Sequence, residues 1–137
     1  MRLRTSSLVL WGLYVAFAAY AIVTGVNAAT FDFSLPLGGA KAVVWLLLLA
    51  FFAYSIYCTF RENFFKTLRS FASLHWGRQI GTDLYLGLFV SLFIIFLNDG
   101  LGVALIWLLP TLIYANLTIL LYFALNFDAI VSTFLAM

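Results

Sequence analysis

Charge is scarce in this sequence. Seven Lys or Arg and five Asp or Glu residues make up 9% of the 137-residue chain, while 66% is hydrophobic. Soluble domains are about one quarter charged and about half apolar. A chain of this composition cannot cover a hydrophobic core with polar surface. A soluble domain is therefore excluded, and an integral membrane protein of one domain is indicated.

Residues that commonly carry chemistry are also few. The only cysteine, Cys58, excludes an intramolecular disulfide and a cysteine-based zinc site, and the only histidine, His75, argues against a histidine metal site. The sequence has no nucleophile elbow, no phosphate loop and no acidic pair at metal-binding spacing. No catalytic residue and no metal is therefore predicted, an enzyme is disfavoured, and any cofactor is left open.

Four long apolar runs dominate what is present, at about 8–28, 41–60, 80–97 and 101–127. Each is near the ~20 residues that a helix needs to cross a bilayer. Continuous runs predict helices, since lipid offers no partners to backbone polar groups. The first run also resembles a signal peptide, but it is long for one, and we interpret it as an uncleaved helix. The sequence thus predicts an all-α, four-helix antiparallel bundle.

The uneven distribution of charge predicts how this bundle is oriented. One side of the predicted bundle carries Arg2, Arg4, Arg61, Lys66, Arg69 and Arg78, and the opposite side carries Lys41, Asp32 and Asp99. The positive-inside rule then places both termini and the middle loop in the cytoplasm. Asp99-Gly100 predicts a tight turn between the third and fourth helices. The apolar tail after Phe127 is expected to lie along the inner membrane surface.

The middle loop, 61–77, has aromatic residues at helical spacing and predicts an interfacial amphipathic segment. Lys66 and Arg69 would face anionic headgroups, and Trp76 would act as an interfacial anchor. Glu62 and Lys66 are four residues apart, a spacing that suits an ion pair. Two interpretations stay open, a simple basic connector and a surface that docks lipid or a partner.

Asp83 is the leading candidate site residue, because a carboxylate near the start of an apolar helix is expensive. We expect it in the first turn of the third helix, where it complements the helix dipole. Gly87 and Ser91 continue its face at spacings of four and eight, so Asp83 is expected to face protein. Arg78, Arg61 and His75 are its candidate partners. The alternatives are a structural anchor and a proton or cation site.

Polar residues on two other helices could join the site. Tyr54, Tyr57, Cys58 and Arg61 share a face of the second helix, and Thr111, Tyr114, Thr118 and Tyr122 share a face of the fourth. These faces could converge with Asp83 into a small polar pocket, although such stripes often make only interhelical hydrogen bonds. Asn116 is expected to contact another helix or subunit. Pro110 is expected to kink the fourth helix.

The second half resembles a known class of proteins. Gln79-Ile80-Gly81-Thr82-Asp83-Leu84, the polar turn at Asn98-Asp99 and the Leu120-Leu121-Tyr122 ending are similar to those of small bacterial inner-membrane proteins of unknown function. This resemblance covers under half of the chain. It implies a multi-pass protein of the bacterial inner membrane and no particular activity.

Three functions are compatible with these observations. The leading hypothesis is a structural or accessory subunit of a membrane complex. The second is a small oligomeric transporter or channel that uses Asp83. The third is a lipid- or quinone-directed enzyme that uses His75, Arg78, Asp83 and Tyr57. The expected partners are membrane lipids and either further copies of the chain or a larger membrane complex. The basic residues follow membrane topology, so nucleic acid is not an expected partner.

Overall fold

A computed structural model describes residues 4–34 and 37–136 of the protein; Arg2 and Pro36 lie outside these ranges. The described residues form six α-helices and no strand: α1 Thr5–Gly25, α2 Gly38–Arg61, α3 Phe64–Ser73, α4 His75–Asp99, α5 Leu101–Tyr114 and α6 Asn116–Leu135. The all-α class is confirmed. Four helices, α1, α2, α4 and α6, are long and apolar enough to cross a membrane, whereas α5 is a shorter apolar helix.

The turn between α4 and α5 forms where Asp99-Gly100 predicts it. Gly100 has a φ of +88°, a left-handed value that glycine adopts without steric cost. The two helices run antiparallel from this turn, and the Tyr85 hydroxyl of α4 donates a hydrogen bond of 2.8 Å to the Leu112 carbonyl of α5. At its other end α4 begins at His75, several residues before the predicted start at residue 80.

The prediction of one helix over 101–127 is wrong. The chain reverses at Ala115, whose φ of 51° and ψ of −122° lie outside the helical region. Helices α5 and α6 run antiparallel on either side of it. The Thr118 hydroxyl donates to the Pro110 carbonyl at 3.1 Å, and the Trp107 and Tyr122 rings are 5.1 Å apart. We call this pair the α5–α6 hairpin. The expected kink at Pro110 is thus replaced by a full reversal five residues later.

Helix α5 is too short to cross a bilayer by itself. Helix α5 has 14 residues, which at 1.5 Å per residue gives about 21 Å, against about 30 Å of hydrocarbon. A helix that starts at the Gly100 turn and ends after 21 Å stops short of the opposite surface. The backbone at the reversal must then be buried in protein or hydrated.

Helix α6 is the most buried helix, and α1, α2, α4 and α5 all contact it. It runs parallel to α1: the Tyr14 hydroxyl donates to the Leu117 carbonyl at 3.2 Å, and Gly25 lies against Leu125. The start of α1 and the end of α6 therefore lie at opposite ends of the molecule. This arrangement does not support the prediction that both termini share one side. The tail expected on the membrane surface continues α6 to Leu135, with a local kink at Asn126.

The middle loop contains the helix that its aromatic spacing predicts, although α3 covers only Phe64–Ser73. Asn63 caps it, because the side-chain oxygen accepts hydrogen bonds from the Phe65 and Lys66 backbone N–H groups. Helices α3 and α4 approach closely at Gly77, where a Cβ would stand 1.9 Å from the Phe71 carbonyl oxygen. Only glycine fits there, so the angle between the two helices depends on it.

The opposite placement of the two ends predicts a labelling pattern. In a Cys58→Ala background, Ser73→Cys at the end of α3 and Ser132→Cys near the end of α6 are both exposed. A membrane-impermeant maleimide should label them from opposite sides of sealed vesicles. Labelling of both positions from the same side would contradict the parallel arrangement of α1 and α6.

Candidate functional site

Polar residues collect at the two ends of the molecule. We call the end where α1 and α4 begin and α3 lies the α3 end. We call the opposite end, with the α1–α2 connection and the Gly100 turn, the loop end. The residues predicted to form a site, Asp83, Arg78, His75, Arg61 and Tyr57, all belong to helices at the α3 end.

Asp83 is exposed on α4 and lies eight residues after the helix start. It is therefore in the third turn and not in the first turn as predicted, because α4 extends back to His75. Among the described residues the Asp83 carboxylate makes no hydrogen bond and no ion pair, while the single ion pair joins Lys41 to Asp128. The expected pairing of Asp83 with Arg78, Arg61 or His75 is thus not seen.

The structure brings the other predicted site residues together only in pairs. An Nη atom of Arg78 lies 2.8 Å from His75 Nδ1. A guanidinium can only donate, so Nδ1 accepts and the ring proton sits on Nε2. On α2, the Arg61 guanidinium lies 6.0 Å from the centre of the Tyr57 ring, a cation–π contact. Neither pair reaches Asp83 to form the polar pocket that the sequence suggested.

A groove runs along one face of α4 from Arg78 toward the middle of the helix. It has a volume of about 500 Å³ and is lined by Arg78, Gly81, Thr82, Tyr85, Leu86 and Phe89. Its wall is polar at the Arg78 end and apolar at the other. The Thr82 hydroxyl is occupied, since it donates to the Arg78 carbonyl at 2.8 Å. Arg78 is thus the one charged side chain that lines the groove.

The small-residue face that includes Asp83 lies open rather than packed inside the protein. Gly87 is exposed and a Cβ added there would meet no atom within 4 Å, while Ser91 is half-buried and donates to the Gly87 carbonyl. At 100° per residue, Asp83, Gly87 and Ser91 lie on a different side of α4 from both the groove and the buried residues Leu88, Leu92 and Ile95. The Asp83 face is thus separate from both.

The residues predicted to meet lipid headgroups are all exposed at the α3 end. Lys66 and Arg69 lie on α3, and Trp76, in the first turn of α4, is 76% exposed. The predicted ion pair between Glu62 and Lys66 is absent, because Glu62 precedes α3 and its carboxylate accepts from the Thr67 hydroxyl at 3.1 Å.

Tyrosine hydroxyls surround the reversal at Ala115. Tyr85 of α4 donates to the Leu112 carbonyl, Tyr14 of α1 donates to the Leu117 carbonyl, and Tyr114 donates to the Leu10 carbonyl of α1. The last carbonyls of a helix have no partner within it. The Tyr85 hydroxyl therefore supplies a donor to the Leu112 carbonyl of α5, which lipid could not satisfy.

Asn116, expected in the middle of a helix, is the first residue of α6 and is exposed beside the reversal. The polar stripe predicted on the fourth helix is split by the reversal, and its members reach different partners. Tyr114 contacts α1, whereas the Tyr122 hydroxyl donates to the Asp99 carboxylate and accepts from Asn98 Nδ2 at 2.8 Å. Tyr122 therefore ties α6 to the Gly100 turn at the loop end.

The loop end contains a buried ion pair that the sequence reasoning missed. Lys41 is fully buried, and its Nζ lies 2.7 Å from the Asp128 carboxylate. The same ammonium donates to the carbonyls of Ala29 at 2.7 Å and Asp32 at 2.8 Å. Its three N–H groups match three acceptors. Lys41, with all three N–H groups bonded, joins the α1–α2 connection to α6.

Hydrogen bonds within the α1–α2 connection hold the Lys41 acceptors in place. The Thr30 hydroxyl accepts from the Asn27 backbone N–H, and the Asn27 side chain accepts from the Ala29 N–H. The Ser34 hydroxyl donates a hydrogen bond to the Asp32 carboxylate and lowers its pKa, and a weaker contribution comes from the Ser34 backbone N–H. The polar groups around Lys41 at the loop end are therefore paired with one another, which suits a structural role.

No group of three or more metal-ligating side chains occurs in residues 4–34 and 37–136. Comparisons of the chain with protein-family models, curated proteins and solved structures give no significant match. The resemblance of the second half to small inner-membrane proteins therefore stays a prediction.

The ion pair between Lys41 and Asp128 is expected to contribute to the stability of the protein. Asp128→Asn leaves the buried Lys41 ammonium without a counter-charge, so we expect a loss of about 3 kcal/mol, the lower end of the range for breaking a buried pair, because Asp128 is 30% exposed. Unfolding in detergent micelles measures it. Glu62→Gln, the same exchange at an exposed carboxylate, is the control, and equal stability of the two variants would show that the pair contributes nothing.

The reversal makes a second stability prediction. Tyr85→Phe removes the donor to the Leu112 carbonyl, and the expected loss is about 1 kcal/mol, as for other hydrogen bonds between membrane helices. Tyr54→Phe removes a hydroxyl from a tyrosine exposed on α2 and should leave the stability of the protein unchanged. If both variants unfold at the same denaturant concentration, the Tyr85 contact does not support the hairpin.

Proposed function

We propose that this protein is a non-enzymatic accessory subunit of a membrane complex, which contacts another membrane protein through the Asp83 face of α4. Four of its helices are compatible with an integral membrane protein. The observation that carries the proposal is the exposed and unpaired carboxylate of Asp83. Ionisable residues in membrane helices normally face protein or water and pair with other groups.

The depth of Asp83 makes this exposure costly. Sixteen residues separate Asp83 from Asp99 at the loop end, which is about 24 Å along α4. A hydrocarbon layer of about 30 Å does not fit between the two carboxylates. With Asp99 at one boundary, Asp83 lies roughly 6 Å inside the other. A partner helix that contributes a cation or a hydrogen-bond donor there removes this cost.

The surroundings of Asp83 also suit a protein partner. Gly87 offers open space on the same face, where a second helix can approach the backbone of α4 closely. Val90, also on this side, is 63% exposed and adds apolar surface. A carboxylate beside an open glycine combines a polar contact that specifies the partner with a surface that permits close packing.

The proposed orientation follows from charge. The exposed basic residues Arg61, Lys66, Arg69 and Arg78 belong to the α3 end, whereas Lys41 at the loop end is buried and neutralised. By the positive-inside rule the α3 end faces the cytoplasm. In this orientation the start of α1 is cytoplasmic and the end of α6 is not, and we propose a bacterial inner membrane as the location.

Site-specific photocrosslinking in native membranes tests the proposed contact. A photoreactive residue at Val90 should crosslink to one protein of defined mass, whereas the same residue at Leu105, exposed on α5, should react mainly with lipid. Asp83→Leu should lower the Val90 product about fivefold or more, and Asp83→Glu should retain it, because the contact depends on the carboxylate.

Two results would contradict the proposal. One is a Val90 product no more abundant than that at Leu105. The other is a product that Asp83→Leu leaves unchanged, since the partner would then not recognise the carboxylate. A product of twice the mass of the chain would show that the partner is a second copy of this protein and not a different subunit.

A further inference from the structure

The groove on α4 is separate from the Asp83 face and has a ligand chemistry of its own. Arg78 lines one end, and Tyr85, Leu86 and Phe89 line the rest. Leu86 is 61% exposed and Phe89 is 54% exposed. A groove with a cationic group at one end and an apolar wall is complementary to a molecule with an anionic head and a hydrocarbon chain.

The groove exists because α5 is short. Tyr85 lines the groove and also donates to the Leu112 carbonyl near the end of α5. The chain reverses at Ala115, so no continuation of α5 runs beside the first turns of α4. Toward the α3 end this side of α4 therefore lacks the neighbour that α5 provides nearer the loop end.

The dimensions of the groove match one leaflet of a bilayer. From Arg78 to Phe89 is eleven residues, about 16 Å along the helix, and half of the hydrocarbon layer is about 15 Å. Arg78 is 21 residues from Asp99, about 32 Å, so its guanidinium reaches the headgroup level when Asp99 lies at the opposite boundary. The groove thus runs from the headgroups to the bilayer midplane.

The charges around the groove favour an anion at its Arg78 end. The guanidinium is exposed, and only one of its five N–H donors is used, by His75 Nδ1. Asp83, the nearest carboxylate in sequence, lies on another side of α4 and is not part of the groove wall. Arginine is well suited to phosphate because its donors can bind two oxygens at once.

We infer that this groove binds one anionic phospholipid, with its phosphate on Arg78 and an acyl chain along Leu86 and Phe89. The lipid fills the space that the short α5 leaves open. Its binding needs both ends of the groove, the cation and the apolar wall.

Native mass spectrometry of the purified protein tests this inference with defined lipids. Phosphatidylglycerol should be retained as one molecule per chain, about tenfold more tightly than phosphatidylcholine. Arg78→Gln should weaken retention about tenfold, the effect of losing one charged hydrogen bond. Arg69→Gln removes an exposed charge from α3, away from the groove, and should change retention less than twofold.

A second pair of variants tests the apolar wall without touching the charge. Leu86→Trp fills the groove and should weaken retention at least fivefold, whereas Leu97→Trp, at a position 66% exposed elsewhere on α4, should not. Soluble glycerol phosphate at the same concentration should not displace the lipid, because it lacks the chain. All four substituted residues are exposed, so the variants are expected to fold.

Three outcomes would overturn the inference. Equal retention by Arg78→Gln and Arg69→Gln would show only a general attraction of basic residues to anionic lipid. Equal effects of the two tryptophan variants would exclude the groove as the binding place. Displacement by glycerol phosphate would reduce the site to a phosphate contact without a lipid chain. None of these results depends on the Asp83 contact.

Discussion

The need to satisfy the backbone at Ala115 constrains the rest of this structure. Where a helix ends within a bilayer, its last carbonyl groups need partners that hydrocarbon cannot supply. Tyr85, Tyr14 and Thr118 donate to carbonyls on both sides of the reversal, and Tyr114 donates outward to α1. These contacts join α1, α4, α5 and α6 at one level. The hydrogen bonds beside one short backbone segment therefore link four of the helices.

The reversal also explains why the two ends of the molecule differ. It sends α6 back to the loop end, where Asp128 meets Lys41 and Tyr122 meets Asp99. Every charged group of those two contacts has a partner. At the α3 end α4 extends past the end of α5, and Arg78 and Asp83 lie exposed on separate faces. The closed end is suited to architecture, and the open end is where other molecules can bind.

Much of the fold could be predicted from composition, but the path of the last third could not. Hydropathy identified the apolar runs and the Asp99-Gly100 dipeptide identified the turn, since both depend on local residue types. Hydropathy does not show where the chain changes direction. An apolar run of 27 residues that contains a reversal therefore has the same hydropathy pattern as one long helix. Ala115-Asn116 is not a recognised turn signal, and a positive φ at alanine is rare. Only the nearby Pro110 hinted at a break.

The same error explains what was missed in the site. With the tail assigned to the opposite side, Asp128 could not be matched to Lys41, although the two form the ion pair in the structure. Asp83 was found because a carboxylate in an apolar run is conspicuous. Its expected pairing with Arg78 is not seen because α4 starts early enough to include both residues, and their five-residue spacing places them about 140° apart around the helix. The groove depends on where α5 ends, which no local pattern indicates.

The central place of α6 has a consequence for how the protein is made. Helices α1, α2 and α4 precede α6 in the chain, so they enter the membrane before the helix that each of them packs against exists. Until α6 arrives, Lys41 lacks its carboxylate, and the hydroxyl of Tyr14 lacks its acceptor on α6. The early helices complete their packing only when α6 is made. A ribosome that stalls before Asn116 would leave a set of inserted but unassembled helices for membrane proteases to remove.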